Sequence, residues 1–228
     1  MKNIYHSDIY KFDTPVSSYW EDISSENLNL EKLTKDINSE IVVIGGGYTG
    51  LLCAINLIEN HNLDVILVEA GKIGWGASSR NAGFNCLPPS KMSFKKMQSI
   101  YGIEETKKFF KNSVEGSNYT RDIIKEYNIQ CDVTGDCNYV VAHHKSKFEQ
   151  IKEQAEAYKS EFGIKTEIYS KEEFNEIGHG GTEQYGAFSY KPGFAINPLK
   201  FLNGIAKYGL SKKLKMFEQT KVNQITKE

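Results

Sequence analysis

Residues 40–68 constrain the fold more than any other part of the chain. Glu40-Ile41-Val42-Val43-Ile44 is a short β-branched run that ends at once in Gly45-Gly46-Gly47, as expected of a strand buried on both faces of a parallel sheet. Residues 48–60 come next, with Leu51, Leu52, Ile55 and Ile58 at spacings that share one helical face. Asp64-Val65-Ile66-Leu67-Val68 is a second apolar strand. Strand, helix and strand in about 30 residues form a βαβ unit, the crossover that joins parallel strands.

The glycines between the first strand and the helix have the form Gly45-x-Gly47-x-x-Gly50, and Glu69 stands at the end of the second strand. Each has a physical task in binding a dinucleotide. Gly45 permits the tight turn, Gly47 lets the backbone approach a pyrophosphate, and Gly50 lets helix and strand pack closely. The free N–H groups and positive dipole end of the helix face the phosphate. Glu69 accepts hydrogen bonds from ribose hydroxyls and repels a 2′-phosphate, which disfavours NADP. The competing reading is a tight strand-to-helix turn with no ligand.

The residues after Glu69 bear on which dinucleotide is bound. A nicotinamide-binding unit continues with another helix and strand, whereas here residues 71–83 hold four glycines, too many for a regular helix. The expected loop, Gly74-x-Gly76-Ala77-Ser78-x-Arg80-Asn81-x-Gly83, offers amides, a hydroxyl, a carboxamide and a permanent cation to a long cofactor. A solvated loop with an incidental arginine is the alternative.

Elsewhere the pattern gives elements without chemistry. Residues 1–38 read as an extended arm that packs by its aromatics. Residues 103–127 look helical, in two pieces around Gly116, and residues 133–142 look like a strand or hairpin turning at Gly135-Asp136. Phe148, Ile151, Ala155, Tyr158 and Phe162 mark an amphipathic helix. Ser170 with Glu173 fits a capping box. Residues 185–190 form a strand, Asn197-Pro198 starts a helix ending near Gly209, and residues 214–225 form one or two final strands.

Composition excludes several classes. With 39% hydrophobic and 25% charged residues over 228 positions, the chain is an ordinary globular one. Lys+Arg 28 against Asp+Glu 29 gives a net charge of -1, with no global pull toward nucleic acid or anionic membrane. Only Arg80 and Arg121 are arginines. Cys53, Cys86, Cys131 and Cys137 show no metal or redox spacing, so reduced thiols are expected. The first 20 residues lack a signal-length apolar run, and the most apolar stretch, residues 41–55, is shorter than the roughly 20 residues of a membrane span. A cytoplasmic location follows by default. Adjacent His143 and His144 point to opposite faces and lack a third ligand, so no metal site is expected. Lys207, Lys212, Lys213 and Lys215 read as a solvated face.

The glycine motif through Leu51, then Val68-Glu69-Ala70 and the run from Ile73 to Gly83, resembles the N-terminal half of the D-amino-acid oxidase superfamily of FAD-dependent oxidoreductases, its gamma-glutamylputrescine oxidoreductase-like branch. Ser18-Tyr19-Trp20, Tyr101-Gly102 and residues 192–199 resemble that branch more loosely. The resemblance implies FAD as cofactor and oxidation of the carbon beside an amine nitrogen to an imine. It implies cofactor contacts at Gly45, Gly46, Gly47, Tyr48, Thr49, Gly50, Glu69, Ala70, Gly76, Ala77, Ser78, Arg80, Asn81 and Gly83. Val222, in a strand-like run, matches a position whose backbone meets the adenine.

The expected architecture is α/β: an incomplete Rossmann-like FAD-binding domain with an inserted α+β substrate domain. Its parts are an N-terminal arm (1–38), the βαβ unit and glycine loop (39–85), a substrate-type α+β region (86–195) and a truncated return to the FAD domain (196–228). Family members are considerably longer, so a C-terminal partner polypeptide is one expectation, and a non-catalytic dinucleotide-binding fragment or subunit, or an NAD module, are alternatives to an amine or amino-acid oxidoreductase. Tyr48, Arg80 and Asn81 lie near the expected cofactor, but none is assigned as catalytic.

Overall fold

In the computed structural model, residues 6–24, 26–87, 92–178 and 180–227 are described. In chain order the elements are α1 (Tyr19–Asp22), β1 (Ile41–Ile44), α2 (Tyr48–His61), β2 (Val65–Val68), α3 (Ala77–Arg80), β3 (Phe84–Asn85), α4 (Phe94–Glu126), β4 (Asn138–Val141), α5 (Lys145–Phe162), β5 (Lys165–Tyr169), α6 (Lys171–Ile177), β6 (Ala187–Lys191), β7 (Phe194–Ala195), α7 (Pro198–Ser211) and β8 (Lys215–Phe217). They form two compact units. The first comprises residues 1–83, 123–132 and 197–228, the second 84–122 and 133–196. Residues 123–132 therefore cluster with the βαβ unit, not with the region that surrounds them in sequence.

The first unit is built on a parallel sheet of order β1-β2-β8. Ile44 pairs with Val68 and Val68 with Phe217, so the carboxyl ends of all three strands lie together. All four residues of β2 are buried. β1 differs from expectation: Val42 and Ile44 are 50% and 56% exposed, because β1 is the edge of this sheet and only its Ile41 and Val43 face is covered. α2 buries Leu51, Ala54 and Ile55 and stops at Asn62, whose left-handed φ of 51° lets its N–H reach Ile58 O. Asn197 caps α7, its Oδ1 accepting from the N–H groups of Leu199 and Lys200 at 3.1 Å each, with Pro198 in the first turn. A Cβ on Gly204 of α7 would lie 2.3 Å from Ile129 Cγ2, so Ile129 fills a notch that only glycine leaves.

The arm before β1 packs through its aromatics. Phe12 meets Trp75 edge-on at 5.1 Å, Trp75 Nε1 donates to Thr14 O at 2.9 Å, and Trp20 Nε1 donates to Asn81 O at 2.8 Å. The glycine loop differs from expectation in holding one helical turn, α3, bracketed by Gly76 and Gly83. Its sequence, Ala-Ser-Ser-Arg, contains no glycine and tolerates a turn that the flanking residues do not extend.

In the second unit, antiparallel strands in the order β4-β6-β5 cover a core in which Tyr158, Phe188 and Tyr190 meet edge-on or tilted and Phe110 stacks on Phe162 at 4.0 Å. The amphipathic face expected of α5 is present, with Ile151, Ala155 and Tyr158 buried. His144 is its N-cap, Nδ1 accepting from Ser146 N–H at 3.3 Å. The capping box of Ser170 and Glu173 is formed. α4 is two helices that meet at a kink at Gly102 (φ 79°, ψ 166°): the second begins at Ile103 as expected, an additional one precedes it, and the break is not at Gly116. Gly116 stays helical, and Thr120 Oγ1 donates to its carbonyl at 2.9 Å. β3 and β7 form a two-stranded antiparallel ribbon pairing Phe84 with Ala195 and Asn85 with Phe194. The final strand is shorter than expected, since only Lys215–Phe217 pairs. Residues 220–225, Val222 included, have no partner strand among the described residues and remain irregular.

Candidate functional site

At the carboxyl end of β1 the chain turns into α2 with almost no space to spare. Gly45 has φ +108°, a conformation that L side chains rarely adopt. A Cβ on Gly50 would stand 1.9 Å from Gly45 O, so the first turn of α2 rests directly on the strand exit. Gly47 is the N-cap, with no side chain capping the helix. A helix leaves its first amides without intrahelical partners. Here the N–H of Tyr48 meets Ser78 Oγ at 3.3 Å, which brings the glycine loop onto the helix N-terminus. A Cβ on Gly47 would lie 2.9 Å from that same oxygen.

Glu69 turns toward this nest. Its Oε2 accepts from Gly46 N–H at 2.7 Å and its Oε1 from Gly71 N–H at 2.8 Å. A carboxylate has about four acceptor sites, so each oxygen keeps capacity for a further donor. Ala70, half-buried beside Glu69, continues into Gly71.

Tyr48 anchors α2 to α7: its hydroxyl donates to Pro198 O at 3.1 Å and its ring lies 5.3 Å from Phe201. Burial pushes its phenol up to about 12, against the opposing hydrogen bond with Asn81. Asn81 closes α3, Nδ2 donating to Ser78 O at 2.9 Å and Oδ1 accepting from Gly83 N–H at 2.8 Å. Gly83 leaves the loop at φ +76°. Gly76 and Ala77 are exposed, and a Cβ on Gly76 would touch nothing. Thr49 is exposed in the first turn of α2.

The structure thus brings Gly45, Gly46, Gly47, Tyr48, Gly50, Glu69, Ser78 and Asn81 into one constellation. Arg80 points elsewhere, its guanidinium 5.1 Å above Trp75 and its Nε donating to Gly76 O at 3.3 Å. Val222 is exposed in the irregular segment after β8. Sequence reasoning missed Glu218 and Ile73. Glu218 is buried, and its Oε1 accepts from Ile73 N–H at 2.7 Å. Ile73 in turn packs on Gly46, where a Cβ would be 2.9 Å from its Cγ1. The available signal was that the strands at Val68 and Phe217 each end in a glutamate.

The family described as DAO, FAD dependent oxidoreductase, matches residues 40–228. The chain belongs to this DAO family. FAD is the cofactor of the family. Among curated relatives, this DAO-family chain is 32% identical over 144 residues to gamma-glutamylputrescine oxidoreductase of Escherichia coli, across 62% of this chain and 33% of that protein. It is 26% identical over 216 residues to a probable oxidoreductase OrdL of Haemophilus influenzae, across 93% and 49%. Among solved structures, the fold is similar to glycine oxidase from Bacillus cereus, with a TM-score of 0.62 at 16% identity over 84% of this chain and 49% of that one. L-alpha-glycerophosphate oxidase from Mycoplasma pneumoniae, with FAD bound, gives a TM-score of 0.61 at 20% identity over 85% and 48%. The DAO-family chain spans half or less of the length of these relatives. Among the described residues, no helix is long and apolar enough to cross a membrane. No group of three or more His, Cys, Asp or Glu residues among them is arranged to hold a metal ion.

Proposed function

We propose that this chain is the FAD-binding portion of an oxidoreductase that converts a C–N bond of an amine or amino acid to an imine, with a gamma-glutamylputrescine-like or D-amino-acid-like substrate. The observation that carries the reading is the contact of Gly50 with Gly45 O, where no Cβ fits. It seats the N-terminus of α2 directly at the carboxyl ends of the strands, the place where open parallel sheets bind nucleotides. The residues fit the cofactor: the backbone amides of Gly47, Thr49 and Gly50 at the start of α2 suit a diphosphate, and Glu69 keeps acceptor capacity for a ribose diol while bonded to Gly46 and Gly71.

In this reading Ser78 supplies a hydroxyl beside the diphosphate, and Asn81 fixes α3 so that Gly76, Ala77 and Gly83 can approach. Arg80 adds positive charge at the rim, Ala70 borders the ribose, and the backbone of Val222 meets the adenine. FAD held by these residues would supply the acceptor for the electron pair of a C–H bond next to a neutral amine. The substrate portion lies within residues 86–195, apart from residues 123–132, which cluster with the first unit. On this reading the protein works in the cytoplasm, in keeping with its four free cysteines.

A second reading is a non-catalytic dinucleotide-binding subunit completed by a C-terminal partner polypeptide. It is favoured by the exposed face of β1, where Val42 and Ile44 lie open and a parallel sheet is ordinarily covered. The visible absorption spectrum of the purified chain tests the cofactor: a flavin band supports the proposal, and a colourless protein that takes up NAD refutes it. Turnover of gamma-glutamylputrescine and of simple amino acids, with and without the co-expressed C-terminal half of a relative, separates the two readings.

A further inference from the structure

β2 and β8 run parallel with Val68 opposite Phe217, so Glu69 and Glu218 are the next residues on neighbouring strands. From there the two segments stay joined by their backbones. Glu69 N–H donates to Phe217 O at 2.9 Å, Thr220 N–H to Glu69 O at 2.8 Å and Gln219 N–H to Gly71 O at 2.8 Å. Glu69 reaches back to the glycine turn. Glu218 reaches forward, and with 4% exposure it is far more buried than glutamates usually are. Its Oε1 takes the N–H of Ile73 at 2.7 Å, and it also bonds the backbone of Leu30.

We infer that Glu218 is a positioning residue of the proposed FAD site, fixing the start of the glycine loop so that Ile73 lies on Gly46 and Ser78 reaches the N-terminus of α2. The inference rests on the FAD reading above.

The geometry forms one chain of contacts: Glu218 to Ile73 N–H, the Ile73 side chain to Gly46, and Gly74 at φ +97° carrying the loop toward Ser78. A buried carboxylate is a costly means of holding one amide. The charged groups that act on Glu218 are Lys72, which favours its ionised form, and Glu69, which opposes it. Burial outweighs both hydrogen bonds and Lys72 and pushes its carboxyl above the usual range. A residue serving only to hold the fold together would be expected to affect stability and leave FAD affinity alone.

The test is a titration of the flavin-free full chain with FAD, followed by flavin fluorescence, together with thermal melts. Glu218→Ala should raise the FAD Kd about tenfold or more, since a charge-assisted bond that orders the loop is lost. Glu218→Gln, which keeps the acceptor oxygen, should stay within about threefold of the parent. Asn203→Ala removes a bond from Asn203 Nδ2 to Glu26 O and should lower the melting temperature without changing Kd. An unchanged Kd in Glu218→Ala, or a Glu218→Gln as weak as the alanine variant, overturns the inference while the FAD reading stands. A parent chain that fails to bind FAD overturns both. If the alanine variant does not fold, amide exchange at Ile73 decides: protection that FAD deepens supports the inference, and exchange indifferent to FAD refutes it.

Discussion

Gly50→Ala is the sharpest test of how the site is built. The added Cβ would lie 1.9 Å from Gly45 O, 3.1 Å from Gly45 C and 3.5 Å from Val43 Cγ1. Carbon contacts are comfortable at about 3.5–4.0 Å, and the two closest atoms are main chain, so no rotamer change relieves them. α2 must retreat from the end of β1. Overpacking of this kind costs about 1–3 kcal/mol, and the upper end applies because the strand exit is itself at φ +108°. Alanine returns about 1 kcal/mol of helix propensity, leaving a net loss of about 2 kcal/mol. The retreat also displaces the amides that face a diphosphate. Losing one hydrogen bond to a charged group is worth about 1.5–3 kcal/mol, so the FAD Kd should rise at least about tenfold. Both tryptophans, Trp20 and Trp75, lie in the first unit, so urea unfolding followed by tryptophan fluorescence reads that unit directly. Gly76→Ala, whose Cβ meets nothing within 4 Å, is the control and should change stability by less than about 0.5 kcal/mol. If Gly50→Ala unfolds at the parent urea concentration and binds FAD equally well, the close-contact argument is wrong.

Glu69→Ala leaves the N–H groups of Gly46 and Gly71 without their acceptor. It should weaken FAD binding by about 1.5–3 kcal/mol, and an unchanged Kd in the fluorescence titration would mean that the ribose is held by another group. Tyr48→Phe removes the bond to Pro198 O and should cost about 1 kcal/mol at neutral pH, read by the same urea unfolding. Because the phenol is raised from 10.0 to about 12 in the fold, its contribution is complete below pH 10 and falls as the pH rises through that window. The gap between parent and Tyr48→Phe should therefore narrow toward pH 12, and a gap that widens there contradicts the direction of the shift.

The features legible in the sequence were those set by neighbours a few residues away. The caps at Ser170 and Asn197 depend on contacts to the following turn, and the glycine spacing is tied to one strand-to-helix corner. Features set by distant partners were not legible. Ile-Val-Val-Ile reads the same in a central or an edge strand, and only the order β1-β2-β8 exposes Val42 and Ile44. Gly102 and Gly116 carry equal propensity, yet the chain needs a positive φ only at the first. Thr220 to Ile225 alternates like a strand, but a strand needs a partner to bond. Glu218 is one of many acids until the pairing of Val68 with Phe217 sets it beside Glu69. The cation–π contact of Arg80 with half-buried Trp75, 5.1 Å apart, was likewise not legible, since it depends on the single turn of α3.

The ribbon of β3 and β7 has a consequence for how the second unit could be removed or exchanged. Phe84 faces Ala195, so the two outer ends of the second unit's sequence lie about 5 Å apart, a gap that a tight two-residue turn can close. Such a graft would not be clean, because residues 123–132 travel with the excised stretch while belonging to the other unit. Their loss would empty the notch that Ile129 fills over Gly204. A swap of modules at this ribbon therefore has to carry a plug for that notch, and it is there that a transplanted chimera would first fail.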